Sequence, residues 1–173
     1  MNFRDALKAE QSKALTTQIV AEIIEEPRRI IEIIHLIFDA PYRITQRAAW
    51  PLSVIAEKHP ELLLDHLPAL VMKLEEKGNH PAVNRNIVRA LQYISVPEEL
   101  EGPVLDNCFK LLNSKEEPLA VRCFSMTVIH KLVDKYPEIK HELASSITAQ
   151  MPHQTAGFIS RGRKILKALE AHE

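Results

Sequence analysis

Residues 67–94 read LPALVMKLEEKGNHPAVNRNIVRALQYI, two runs of periodic apolar residues separated by a short polar turn. The apolar positions recur at helical spacing, at Leu67, Leu70, Val71 and Leu74 in the first run and at Ile87, Leu91 and Ile94 in the second. Residues spaced i, i+3, i+4 and i+7 share one stripe of an α-helix, so each run has one apolar face to bury. The segment therefore predicts two adjacent helices joined by a turn near Gly78.

The same arrangement recurs along the chain. Four segments place an arginine at the start of an apolar run, at intervals of 38, 37 and 39 residues, and these are Arg47, Arg85, Arg122 and Arg161. Prolines punctuate the repeats, at Pro81 and Pro118 before two of these arginines and at Pro60, Pro97 and Pro137 before a glutamate. Proline is favoured at the first turn of a helix, and the glutamate suits the positive helix N-terminus. A period near 38 residues predicts stacked helix pairs.

The chain has 173 residues, of which 46% are hydrophobic, 5% are aromatic and only 4 are glycine. Scarce glycine and aromatic residues argue against a β-rich protein. We predict an all-α fold of about nine helices, in one domain spanning residues 1–173. Its parts would be an N-terminal cap at 1–26, with a capping helix at about 3–24, and repeats at about 27–58, 61–95, 98–135 and 138–171.

Two segments carry a family resemblance. Residues 67–94 and the run EPLAVRCFSMTVIHKL at 117–132 resemble HEAT repeats, which are ARM-type α-solenoid units. The runs from Tyr42 to Ser53 and from Gly157 to Lys164 are similar to segments of small bacterial HEAT-like proteins of unknown function, which are sometimes labelled adenylosuccinate lyase. The resemblance covers about residues 27–171 and implies a right-handed α-α superhelix (solenoid), without specifying a function.

The resemblance also implies a ladder in which each arginine pairs with an acidic residue about six positions earlier. Glu116 stands six residues before Arg122, Asn79 six before Arg85, and Asp39 eight before Arg47. The match is partial, because Thr155 takes that position before Arg161.

An enzyme is not expected. By resemblance to that family, an adenylosuccinate lyase is expected to be more than twice as long as this chain and to contain a Gly-Ser-Ser-x-Met-Pro-x-Lys loop. Here Ser145 and Ser146 precede Met151-Pro152 at a different spacing, and no lysine follows. The 8 histidines lack metal-ligand spacing, and the sequence has no P-loop, GxGxxG or nucleophile-elbow motif. We therefore predict no catalytic residues, no cofactor and no metal.

The second helices of the repeats carry a row of basic and aromatic residues. The candidate partner-binding groove consists of Arg43, Arg47, Trp50, Arg85, Arg89, Gln92, Arg122, Arg161, Arg163 and Lys164. Second helices line the concave face of a solenoid, where extended partners are held. Two alternatives to partner binding remain open. One is a structural ladder joined to carboxylates and turn carbonyls between repeats, for Arg47, Arg85, Arg122 and Arg161. The other is solvated helix charge, for Arg43, Arg89, Arg163 and Lys164. Trp50 could line a groove or pack in the core, and Pro51 should kink its helix.

We predict a non-catalytic interaction or scaffold module whose partner is a protein or peptide. The alternative is a nucleic-acid-binding HEAT-like protein related to DNA-alkylation-repair glycosylases, which the formal net charge of -1 disfavours. No run of residues is apolar enough for a membrane span or a signal peptide. The two cysteines, Cys108 and Cys123, form no CxxC or metal-binding pattern, which fits reduced thiols in the cytoplasm. The protein would be a monomer, or a homodimer through the leading helix around Ile19.

Overall fold

The chain folds almost entirely into helices, which confirms the predicted fold class. A computed structural model describes residues 1–171. Of these residues 81% are helical, and they form ten α-helices and no strand. The α-helices are α1 (Phe3–Ala9), α2 (Lys13–Glu25), α3 (Ile30–Asp39), α4 (Tyr42–Lys58), α5 (Leu67–Glu75), α6 (Pro81–Leu91), α7 (Glu98–Asn113), α8 (Leu119–Leu132), α9 (Lys140–Gln150) and α10 (Ala156–Glu170). Short 3-10 helices occur at Pro27–Arg29, Pro60–His66, Pro137–Ile139 and Met151–His153.

Two compact units are present in the chain. The first is Met1–Val96 and contains α1 to α6, and the second begins at Pro97 and contains α7 to α10. The prediction of a single domain over residues 1–173 stays a prediction.

Proline begins or precedes helices at the predicted places. Pro81 is the first residue of α6, while Pro97 and Pro118 directly precede α7 and α8. Pro60 and Pro137 instead open 3-10 turns. The missing proline N–H costs nothing at a helix start, where the first amides have no intrahelical acceptor.

The prediction of one leading helix at 3–24 is wrong, because the segment forms two helices, α1 and α2. The break falls at Glu10–Ser12, where the Ser12 hydroxyl accepts a hydrogen bond from the Leu15 amide at 3.0 Å and begins α2. Serine at an N-cap satisfies an amide that would otherwise lack a partner.

Helix α4 is central to the first unit and contacts α1, α2, α3 and α6. Leu52, Ile55 and Ile87 are fully buried between these helices. Pro51 lies inside α4 and is buried, so the helix continues past a residue that cannot donate to the Arg47 carbonyl. Ile19 is also fully buried, which favours the capping role of this segment over pairing with a second copy.

In the second unit, α8 packs on α7, α9 and α10. Gly162 of α10 lies so close to α9 that a Cβ atom there would stand 2.8 Å from Cγ2 of Ile147. At the other end, the carboxylate of buried Glu101 accepts hydrogen bonds from Lys135 Nζ at 2.6 Å and from Tyr136 Oη at 2.7 Å, which fix α7 to the segment after α8.

Across residues 1–171, none of the helices has the length and apolar character needed to cross a membrane.

Candidate functional site

Arg47 holds two helices together through hydrogen bonds and is not a free cation. Its Nη1 donates to the carbonyls of Leu7 at 2.7 Å and Lys8 at 2.9 Å, in the last turn of α1. Last-turn carbonyls have no intrahelical donor, and a cation there also meets the negative helix end. Arg47 therefore fixes α1 to α4, and its partners are carbonyls instead of the expected Asp39.

Arg122 has a similar role in the second unit. Its Nε donates to the Leu112 carbonyl at 3.4 Å near the end of α7, and its Nη2 donates to the Gln150 side-chain oxygen. The expected partner Glu116 is exposed and makes no contact with it. The acidic partners that the HEAT resemblance implied for Arg47 and Arg122 are thus wrong, because helix-end carbonyls and the Gln150 amide take their place. Both arginines still join neighbouring helices, as a ladder that includes turn carbonyls requires.

Arg161 links α10 to α8. Its Nη1 donates to the Cys123 carbonyl at 3.4 Å and to the Thr127 hydroxyl at 3.2 Å, and its guanidinium lies 5.4 Å from the centre of the Phe124 ring. The contact joins residues separated by about one repeat, as a ladder between repeats requires.

Arg85 departs from this pattern. Within residues 1–171 its guanidinium has no hydrogen-bond or ion-pair partner. The neighbouring residue, Asn86, makes the inter-helix contact in its place, since its Nδ2 donates to the Thr45 carbonyl at 3.2 Å from a side chain that is 2% exposed. Asn86 thus joins α6 to α4 and leaves Arg85 available.

The available Arg85 opens into a pocket of about 390 Å³. Two helices and one loop line it, with Gln46, Ala49 and Trp50 from α4, Arg85, Asn86 and Arg89 from α6, and Gln11 from the loop before α2. We call these residues the α4–α6 pocket. Trp50 is 37% exposed, so the alternative that it packs in the core is wrong.

The α4–α6 pocket is cationic. Among residues 1–171, its lining includes two arginines and no aspartate or glutamate. The remaining polar lining is amide, from Gln11, Gln46 and Asn86. An aromatic face, two guanidinium groups and amides together suit an anionic ligand with a flat or apolar portion.

The chain matches one known family of repeat proteins. A family model for the HEAT repeat domain matches residues 3–169. The chain belongs to the HEAT-repeat family. A search of curated proteins and a search of solved structures each return no significant match. The family membership confirms the resemblance seen in the sequence, and HEAT repeats typically mediate protein interactions.

The other predicted groove residues of this HEAT-repeat protein lie apart from the α4–α6 pocket lining. Arg43 is exposed at the first turn of α4, and Gln92, at the end of α6, donates to the Arg89 carbonyl at 3.2 Å. Arg163 and Lys164 are exposed on α10 in the second unit. The structure therefore brings together Trp50, Arg85 and Arg89 from the predicted set.

Sequence reasoning missed Asn86, although the repeat register contained a signal for it. The residue after the register arginine is Ala48, Cys123 or Gly162 in the other repeats, and all three are buried. A larger amide at a position that is otherwise small and buried must find a partner. Gln11 and Gln46 carried no such signal, because only the folded loop and helix place them beside Arg85.

A second cavity lies in the second unit. It measures about 470 Å³ and is lined by Asn113, Lys115, Arg122, Ser146, Ala149, Gln150, His153 and Gln154. We call these residues the Arg122 cavity. Apart from Arg122, sequence reasoning identified none of them.

Both cysteines are buried and unpaired. Burial raises the pKa of the Cys108 thiol to about 12 and also raises the pKa of Cys123. A thiol that stays protonated is a poor nucleophile and a poor metal ligand. Among the described residues, no group of three or more His, Cys, Asp or Glu side chains could hold a metal ion.

Proposed function

We propose that this HEAT-repeat protein is a non-catalytic interaction module, and that the α4–α6 pocket holds an acidic segment of a partner protein. The observation that carries the proposal is Arg85, whose guanidinium has no hydrogen-bond or ion-pair partner among residues 1–171 and lines the pocket beside Arg89 and exposed Trp50. An arginine held in this position without a carboxylate is available to a ligand from outside.

The chemistry of the pocket matches an acidic peptide. Guanidinium groups bind carboxylates through two parallel hydrogen bonds, and a tryptophan ring offers a large apolar face. Tryptophan and arginine are also the residues that most often dominate protein interfaces. The amides of Gln11 and Gln46 can bond a peptide backbone as donor and acceptor.

A non-catalytic role fits the family, which is generally non-enzymatic. It also fits the raised pKa of both buried thiols, which removes the two strongest potential nucleophiles. The unpaired state of these cysteines further supports our placing the protein in the cytoplasm.

Trp50 provides a direct assay, because it is the only tryptophan in the chain. We expect titration with a short peptide of glutamates and one phenylalanine to change Trp50 fluorescence saturably. The double variant Arg85→Gln/Arg89→Gln should weaken this binding at least about tenfold, since two charge-assisted contacts are lost. The matched control Arg163→Gln/Lys164→Gln removes the same charge from α10 and should bind as the wild type does.

A photo-crosslinking residue at Gln46 tests the same proposal in cells, with Thr17 of α2 as the control position. We expect protein adducts from position 46 that carry acidic segments and disappear in the Arg85→Gln/Arg89→Gln background. No adduct specific to position 46, together with no fluorescence response to the peptide, would refute the proposal.

The nucleic-acid alternative is a defined outcome of the same experiments. A glycosylase-like groove combines tryptophan with aspartate, whereas no aspartate lines the α4–α6 pocket. Binding of duplex DNA at about 50 mM salt that weakens steeply with added salt, and that the Arg85→Gln/Arg89→Gln variant abolishes, would replace the peptide by a nucleic acid.

A further inference from the structure

Arg122 is a buried cation that has no carboxylate partner within residues 1–171. Its residue exposure is 9%, and the partners of its guanidinium among the described residues are neutral. Beyond the Leu112 carbonyl and the Gln150 oxygen, these are the Phe158 ring, 5.6 Å from the guanidinium, and Gln154. With the Gln154 amide turned so that its oxygen faces the guanidinium, that oxygen accepts from Nη2 at 2.8 Å and Nη1 at 3.1 Å.

Neutral dipoles do not cancel a buried charge. A buried cation is normally paired with an anion, because removing an ion from water is costly unless an opposite charge compensates it. The HEAT resemblance implies that Glu116 would pair with Arg122. Glu116 is instead exposed and makes no contact with Arg122. No carboxylate among residues 1–171 therefore pairs with Arg122, which leaves its charge open to an anion from solution.

The Arg122 cavity provides the space for it. Lys115, in the turn after α7, and His153, in the 3-10 helix after α9, line the same cavity from exposed positions, and neither has a hydrogen-bond or ion-pair partner among residues 1–171. The other polar lining residues carry amide or hydroxyl groups, and no aspartate or glutamate of the described part of the chain lines the cavity. Its volume of about 470 Å³ lies within the range of roughly 300 to 1,000 Å³ that small-molecule sites occupy.

We propose that the Arg122 cavity binds a small organic anion through a carboxylate or phosphate group, which supplies the counter-ion that Arg122 lacks. Arg122 and Lys115 provide the positive charge. Ser146, His153 and the amides of Gln150 and Gln154 surround the anionic group with further hydrogen-bonding atoms. This site is independent of the α4–α6 pocket, since it uses only residues of the second unit.

The first test titrates the uniformly ¹⁵N-labelled protein with sodium phosphate and, separately, with sodium acetate at constant ionic strength set by chloride. We expect saturable chemical-shift changes concentrated at Ser146, Gln150, Gln154 and the Arg122 Nε–H. Stronger binding of phosphate would assign the ligand to the phosphate class, and stronger binding of acetate to the carboxylate class. Shifts that remain linear for both anions would overturn the proposal.

Two variants test the site without removing Arg122, whose contacts hold the fold. Lys115→Gln should weaken binding about fivefold or more, because it removes an exposed charge at the mouth of the cavity. Lys167→Gln, which removes an exposed charge from α10 outside the cavity, is the control and should leave the affinity unchanged. Equal affinities for Lys115→Gln and wild type would overturn the proposal.

Gln154→Glu provides the opposite test. The new carboxylate would stand where the amide oxygen accepts from both terminal nitrogens of Arg122, and so would supply a built-in counter-ion. We expect this variant to lose anion binding while its melting temperature equals or exceeds that of the wild type without anion. Undiminished anion binding by a folded Gln154→Glu protein would show that Arg122 is not the anion's partner.

Discussion

At the residue scale, the second repeat differs from the others at the position that follows the register arginine. The residue after the register arginine is small and buried at Ala48, Cys123 and Gly162, and is an asparagine at 86. Asn86 makes the hydrogen bond to the Thr45 carbonyl that joins α6 to α4, so Arg85 is not needed for this contact. A single amide thus determines which member of the arginine row is available to a partner.

Separate substitutions of Asn86 and Arg85 test which of the two side chains stabilises the fold. Asn86→Ala should lower the free energy of unfolding by about 1 to 2 kcal/mol, since a buried hydrogen bond is lost. Arg85→Ala should change it by less than about 0.5 kcal/mol, because an unpartnered surface charge contributes little. Urea unfolding followed by far-UV circular dichroism measures both, and a larger loss from Arg85→Ala than from Asn86→Ala would contradict the assignment.

Glu101 links stability to pH in the second unit. The hydrogen bonds from Lys135 and Tyr136 hold the pKa of the Glu101 carboxyl below its ordinary value of 4.5. A carboxyl whose pKa is lowered by folding stabilises the native state above its unfolded value, and this contribution is lost as the pH falls through the native value. We therefore expect the stability advantage of wild type over Glu101→Gln to be full near neutral pH and to shrink below about pH 4.5.

Unfolding by urea at about pH 7 and about pH 3 measures this difference, because effects common to both proteins cancel. Glu99→Gln, which alters an exposed carboxylate on the same helix, is the control and should show a smaller change. An advantage over Glu101→Gln that is the same at both pH values would contradict the role of Glu101.

At the element scale, two glycines inside helices have opposite functions. Gly102 lies in α7 with no atom within 4 Å of the position a Cβ would take, so it only weakens the helix. Gly162 lies in α10 against the stiff, fully buried side chain of Ile147, so its missing Cβ permits the close approach of α9 and α10.

The same substitution at both glycines should therefore have opposite effects. Gly102→Ala should raise the free energy of unfolding by about 0.5 to 1 kcal/mol through helix propensity. Gly162→Ala should lower it by about 1 to 2 kcal/mol, since overpacking against Ile147 exceeds that gain. Thermal unfolding of the two variants measures both, and stabilisation by Gly162→Ala would show that α9 and α10 can separate without cost.

At the scale of the whole molecule, the chain has two compact units that meet in sequence at Val96–Pro97, and one tryptophan, Trp50, which lies in the first. Trp50 fluorescence therefore follows the first unit, whereas circular dichroism follows helices throughout the chain. This difference allows the predicted single domain to be tested without dividing the protein.

A single domain unfolds in one cooperative transition. We expect the urea transitions measured by Trp50 fluorescence and by circular dichroism at 222 nm to have the same midpoint. A fluorescence midpoint clearly separated from the main dichroism transition would mean that the two units unfold independently, and the prediction of one domain would be wrong.

The sequence by itself determined the helical class, the repeat period and the proline-marked helix starts. These follow from apolar periodicity and from the backbone chemistry of proline, both of which act over a few neighbouring residues. The same local reasoning failed between α1 and α2, because apolar periodicity alone does not show that Ser12 interrupts the helix and caps α2.

Only the tertiary structure decided what each arginine does. Arg47, Arg85 and Arg122 occupy the same register of the repeat, yet one binds the end of α1, one opens into a pocket and one is buried with no carboxylate partner among the described residues. These outcomes depend on atoms distant in sequence, such as the Leu7 carbonyl, the Thr45 carbonyl and the Gln150 amide. A charged side chain finds its partner through packing, and periodicity in one chain does not contain that information.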